Sequence, residues 1–159
     1  MPPFPSLLLH LAPPARLISL LDPLMPLTVK RCLIEPLLNH AFAEPLREGE
    51  FDALEGRRIT LAIDDFALEL TLGLERQQLV LCDAAGEATI RGGWREFLCL
   101  ATRREDPDSL FFQRRLSIEG DTELGLMVKN LLDGREEGLA AGPFGALLLR
   151  IESWVNRTR

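Results

Sequence analysis

Through the middle of the chain apolar and polar residues alternate with a period of two, the mark of strands with one buried face. Ile59, Leu61 and Ile63 alternate with Thr60 and Ala62; after an Asp64-Asp65 turn, Phe66, Leu68, Leu70, Leu72 and Leu74 alternate with Ala67, Glu69, Thr71 and Gly73. This is a hairpin pattern. A turn over Glu75 to Gln78 leads to a third strand, Leu79 to Cys82, and an Ala85-Gly86 turn leads to a fourth, Ala88 to Arg91. The expectation is an antiparallel meander with one greasy face. Leu116 and Ile118, alternating with Ser117 and Glu119, predict a further strand that Gly120 ends.

The period then lengthens. Asp121 stands where an N-cap is wanted and Glu123 adds negative charge in the first turn, so a helix begins there. Leu124, Leu126, Met127, Val128, Leu131 and Leu132 give it more apolar surface than one core-facing stripe needs. It is either a central core helix or the wall of a lipid cavity. Two amphipathic helices are available to cover the sheet: Trp94, Phe97, Leu98 and Ala101 fall at helical spacing, as do Phe144, Leu147, Leu148 and Ile151, with Val155 extending the second stripe. Asp106 and Asp108 flank Pro107 and predict the start of a short helix, while Gly134 to Gly142 reads as a flexible connector before Pro143 opens the last helix.

The opening of the chain has a different character and divides it into an extension, 1–48, and a domain, 49–159. Met1 to Ala15 holds no charged residue, yet Pro2, Pro3, Pro5, Pro13 and Pro14 rule out a continuous spanning helix, and no basic segment of an export signal begins it. A short helix is expected over Leu17, Ile18, Leu20, Leu21, Leu24 and Met25. A second runs from near Pro26 through Lys30, Leu33, Leu37 and Phe42, kinked at Pro36 and ended or kinked again at Pro45. Such an apolar load serves either as padding or a homodimer contact, or as a shallow membrane contact or lid. In the second case Leu7, Leu8, Leu9, Leu17, Leu20, Leu21 and Leu24 meet acyl chains while Lys30 and Arg31 sit at headgroups.

Length and charge narrow the function classes. A chain of 159 residues buries a substantial core as a single domain, and a net charge of -6 argues against a general nucleic-acid binder. Cys32, Cys82 and Cys99 lie far apart without CxxC spacing, which suggests neither a disulfide framework nor a metal site; they read as small buried hydrophobes in a reducing compartment. The two histidines, His10 and His40, stand near no cysteine, and no GxSxG, P-loop, GxGxxG or HExxH occurs. The Asp64-Asp65 and Glu136-Glu137 pairs fall in a turn and a connector. The Arg114-Arg115 pair reads first as solvated or salt-bridged and second as a phosphate site. No catalytic residues are expected, and no cofactor.

The segment Asp106 to Asp133, DPDSLFFQRRLSIEGDTELGLMVKNLLD, carries a resemblance. Its strand ending in Gly-Asp before a helix, Ile118-Glu119-Gly120-Asp121, joined to the run Phe111-Phe112-Gln113-Arg114-Arg115 and to Thr122-Glu123-Leu124-Gly125-Leu126, resembles the ubiquinone-biosynthesis branch of the sterol-carrier-protein type-two (SCP2) lipid-binding family. The resemblance extends to Leu54-Glu55-Gly56-Arg57 and weakens in the leader and after Asp133. It implies an α+β fold, a twisted, mostly antiparallel five-stranded sheet backed by helices with an apolar lipid tunnel between.

It also implies a non-catalytic accessory role in the oxygen-independent branch of ubiquinone biosynthesis. There the protein presents polyprenylated phenol or quinone intermediates to iron-sulfur hydroxylases of the UbiU and UbiV type, from the cytoplasmic side of the inner membrane as a peripheral protein. The matching lipid-binding candidates are Phe111, Phe112, Leu116, Ile118, Leu124, Met127, Val128 and Leu131. Two other classes compete: a phospholipid-binding protein of membrane lipid homeostasis that holds an anionic headgroup with Arg114, Arg115, Lys30 or Arg31, and a structural partner protein whose leader is an oligomer interface.

Overall fold

Each stretch expected to alternate does form a strand. The computed structural model describes residues 22–102, 105–133, 150 and 153. Within them lie β1 (Arg58–Ile63), β2 (Leu68–Glu75), β3 (Gln78–Cys82), β4 (Ala88–Gly92) and β5 (Leu116–Gly120). The helices are α1 (Leu27–Ala41), α2 (Ala43–Arg47), α3 (Trp94–Thr102), α4 (Pro107–Phe112) and α5 (Thr122–Asp133). The last stripe (Phe144, Leu147, Leu148, Ile151 and Val155), the connector Gly134 to Gly142 and the leader up to Leu21 lie outside the described residues.

The register puts apolar residues opposite apolar residues in continuous rows. Ile59 of β1 faces Leu72 of β2 and Ala88 of β4, Leu61 faces Leu70 and Ile90, and Ile63 faces Leu68 and Gly92. The rows continue through Leu81 and Leu79 of β3 on one side and through Leu116 and Ile118 of β5 on the other. One face of the sheet is therefore apolar. The other carries polar links: the Thr60 and Thr71 hydroxyls lie 2.8 Å apart, and Arg91 pairs with Asp64 at 2.8 Å and Glu119 at 3.4 Å. Ile59, Leu79, Leu81, Ile90, Leu116 and Leu124 are fully buried, and Phe42 and Leu46 belong to the same core. Each such side chain contributes about 1.5–3 kcal/mol when removed from water.

The expected meander fails at its fourth strand. The order is β3-β2-β1-β4-β5, so β4 lies beside β1 and runs parallel to it; the other pairings are antiparallel. The cause is the link 83–87, which crosses back over the sheet instead of turning. The Gly86 amide donates to Thr60 Oγ1 at 3.0 Å and the Glu87 amide to the Arg58 carbonyl at 2.8 Å, which delivers the chain to β1. A Cβ on Gly86 would lie 2.6 Å from the Thr60 nitrogen and 2.8 Å from the Ile59 carbonyl carbon. Only glycine fits that crossing.

The free side of β3 is closed by α1 rather than by a strand. Arg31, Glu35 and Asn39 recur every four residues and so share one helix face. The Arg31 guanidinium donates twice to the Leu81 carbonyl, at 2.7 and 2.9 Å, and Glu35 Oε1 accepts from the Leu81 amide at 2.8 Å. Asn39 accepts from the Leu79 amide at 2.8 Å and donates to the Leu79 carbonyl at 2.9 Å. Three side chains thus satisfy the outward backbone groups of Leu79 and Leu81. Pro36 remains inside α1, Pro26 stands just before the helix as its cap residue, and the break falls at Phe42, so that Pro45 lies within α2.

Two local expectations are corrected. Phe66 belongs not to β2 but to a 3-10 turn, Asp64–Phe66, followed by Ala67 in the left-handed region at φ 49°, so that β2 starts only at Leu68. Of the cysteines only Cys99 is buried; Cys82 is half-buried and Cys32 exposed, because position 32 turns away from both β3 and the core.

At the opposite end of the sheet Arg57 holds α5 in place. It pairs with Glu87 at 2.8 Å and with Asp121, whose Oδ1 caps the helix by accepting from the Leu124 amide at 3.1 Å. That amide, with Arg57 adding to it, holds the Asp121 carboxyl below the usual carboxylate range. Arg115 does the same for Glu105. A depressed carboxyl contributes stability that is complete above its unfolded pKa of about 4 and is lost as pH falls through the folded value. The urea midpoint is therefore expected to fall on acidification below about pH 4, and Asp121→Asn should flatten part of that slope. Gly86→Ala should cost about 2 kcal/mol in the same denaturation experiment, from forced separation of the link and β1.

Candidate functional site

The capped helix α5 carries its apolar residues on more than one side. Leu124 and Val128 point into the core and are 1% and 6% exposed. Met127 and Leu131 are half-buried against the same core, and Leu126, at 48% exposure, stands out from it. The excess seen in the sequence is real surface.

Leu126 forms a ridge between two open grooves. The first, of about 450 Å³, lies where α5 meets β5 and α4, and its walls include Phe111, Leu116, Ile118 and Leu126, with Arg114 and Lys129 at the polar edge. The second, of about 520 Å³, lies on the other flank, walled by Leu126, Met127, Leu131, Asn130, Glu123 and Glu50. A third hollow of about 580 Å³ adjoins the first across Phe111 and is lined largely by polar residues of α4 and its two caps, with Phe112 beside them. Phe112 itself is 91% exposed.

The eight candidate residues separate accordingly. Phe111, Ile118, Met127 and Leu131 border the grooves, with Phe112 at the third hollow. Leu116 reaches the first groove but is 1% exposed, and Leu124 and Val128 are core. Among the wall residues absent from those candidates are Leu126 and Lys129. Leu126 was legible as part of the apolar excess. Lys129 was not, since lysine is normally solvated; here it is 7% exposed, paired with Asp108, with its Nζ 6.0 Å from the Phe111 ring centre. That pair and ring tie α4 to α5 and form one groove wall.

The cations assigned to headgroups have other partners. Lys30 pairs with Asp22, and Arg31 is committed to Leu81 and Glu35. Arg115 bridges Glu96 at 3.2 Å and Glu105 at 2.5 Å. Arg114 is exposed in the left-handed region at φ 58°, without an ion pair among the described residues. Leu24 is 77% exposed; Leu7, Leu8, Leu9, Leu17, Leu20 and Leu21 lie outside the described residues.

The polar groups nearby are arranged for structure. Cys99 donates to Glu105 Oε1 at 3.6 Å, but burial, then the Glu105 charge, pushes the thiol pKa up, the reverse of activation. Among the described residues no group of three or more His, Cys, Asp or Glu side chains is placed to hold a metal ion. What the grooves offer is apolar wall, and the chemistry of an apolar wall is binding.

Comparison with known proteins identifies the family of this fold. The model of the SCP-2 sterol transfer family matches residues 35–133. The ubiquinone biosynthesis accessory factor UbiT of Escherichia coli K12 is 37% identical over 151 residues, covering 94% of this chain and 86% of that protein, and UbiT of Escherichia coli O157:H7 matches to the same extent. Among solved structures, the UbiJ-SCP2 ubiquinone synthesis protein superposes with a TM-score of 0.54 at 19% identity, covering 67% of this chain and 95% of that one, a likeness of fold. The chain belongs to the SCP-2 sterol transfer family.

Proposed function

We propose that this protein is a non-catalytic accessory factor of ubiquinone biosynthesis that holds polyprenylated phenol or quinone intermediates in the grooves flanking Leu126. The observation that carries the reading is α5 itself: a helix anchored by Leu124 and Val128 that turns Leu126, Met127 and Leu131 toward open grooves. The similarity to UbiT over nearly the whole chain supports the choice of ligand. Shielding an isoprenoid tail is favourable, since each buried CH2 contributes about 0.8 kcal/mol. The pathway is the oxygen-independent branch, the recipients are hydroxylases of the UbiU and UbiV type, and the work is done at the cytoplasmic surface of the inner membrane.

A second reading, a phospholipid-binding protein of membrane lipid homeostasis, is favoured by Arg114, an exposed cation at the edge of the first groove. Organic extraction of the natively purified full chain followed by mass spectrometry separates the two. A polyprenylated phenol or quinone in near-stoichiometric amount is the expected result; phospholipid alone would transfer the site to the second reading. Met127→Glu should abolish retention of the ligand in a folded protein, because it puts a carboxylate on the wall of the second groove. Unchanged retention, measured in the same extraction, would take α5 out of the site.

A further inference from the structure

Helix α1 has three sides. Leu27, Ile34, Leu38 and Ala41 pack against the core, and Arg31, Glu35 and Asn39 grip β3. At about 100° per residue, Val29, Leu33, Pro36 and His40 fall on the side away from the core. All four are exposed, Val29 at 41% and Leu33 at 58%, and Leu24 in the preceding turn at 77%. The grip on β3 fixes the rotation of the helix, so this side, apolar at Val29, Leu33 and Pro36, is held outward. Charge is cleared from it as well: Lys30 and Arg31 are turned to Asp22, Glu35 and the Leu81 carbonyl.

Residues 1–21, which precede this helix in the sequence, contain a single charged residue, Arg16, and Leu7, Leu8, Leu9, Leu11, Leu17, Ile18, Leu20 and Leu21. Prolines interrupt the sequence of residues 1–21, and no described helix is long and apolar enough to cross a bilayer. We propose that the outer side of α1, Leu24, Val29 and Leu33, docks on the surface of a lipid bilayer with the helix in the interfacial plane. The proposal deepens the carrier reading, on which its purpose rests, by naming the face that meets the membrane. The contact is driven by apolar burial, so it tolerates salt and does not require anionic lipid.

The test is co-sedimentation of the full chain with phosphatidylcholine vesicles, with and without phosphatidylglycerol, and extraction of bound lipid from the same preparations. Leu33→Glu, and separately Val29→Glu, should each lower vesicle binding about tenfold. Ligand content, urea midpoint and solution mass should stay unchanged, because both side chains already face solvent. Equal binding by wild type and both variants would overturn the proposal. So would a fall in solution mass from dimer to monomer in the variants, which would assign the stripe to a second copy. Loss of vesicle binding with no isoprenoid ligand in any preparation would uphold the docking face while removing the carrier reading.

Discussion

A sheet with a single apolar face must be covered, and nearly everything else in the described structure follows from that. The rows running from Leu79 and Leu81 through β2, β1 and β4 to Leu116 and Ile118 place every leucine and isoleucine of the strands on one side. Burying that side requires elements brought from both ends of the chain. Phe42, Leu46, Phe51 and Leu54 reach it from before β1, and Leu100, Leu110, Leu124 and Val128 from after β4. The proposed binding surface is then the outer part of one of these covering elements, so the demand that closes the core also positions the grooves.

The strands were legible because a period of two is a local signal that survives without knowledge of partners. The N-cap at Asp121 was legible for the same reason: capping involves residues three positions apart. Partner choice was not legible. Nothing in Ala88 to Arg91 says that it will pair with β1 rather than turn back beside β3, since either neighbour presents an apolar row. The decision lies in Gly86, whose missing Cβ lets the link pass against Thr60, and that reads in sequence as an ordinary turn glycine.

Polar residues with structural duties were the other blind spot. Arg31, Glu35 and Asn39 look like a solvated helix face, because their partners are backbone groups some 40 to 50 residues away. Lys129 looks like solvent exposure on an otherwise apolar helix, because its partner Asp108 belongs to another element. At the site the apolar excess of α5 was readable, but its division into buried anchors and groove walls was not. Leu124 and Leu126 are the same residue type two positions apart and differ from 1% to 48% exposure, a contrast that the direction of the core sets.

The grip of α1 on β3 also bears on how the chain tolerates being shortened. A strand whose outward amides and carbonyls are bonded only to side chains of a helix becomes a bare edge when that helix is cut away, and a bare edge recruits strands from other molecules. Trimming that stops before Pro26 leaves this protection whole. Trimming that reaches Asn39 exposes the backbone of Leu79 and Leu81, and the product is an aggregation-prone sheet rather than a smaller folded domain.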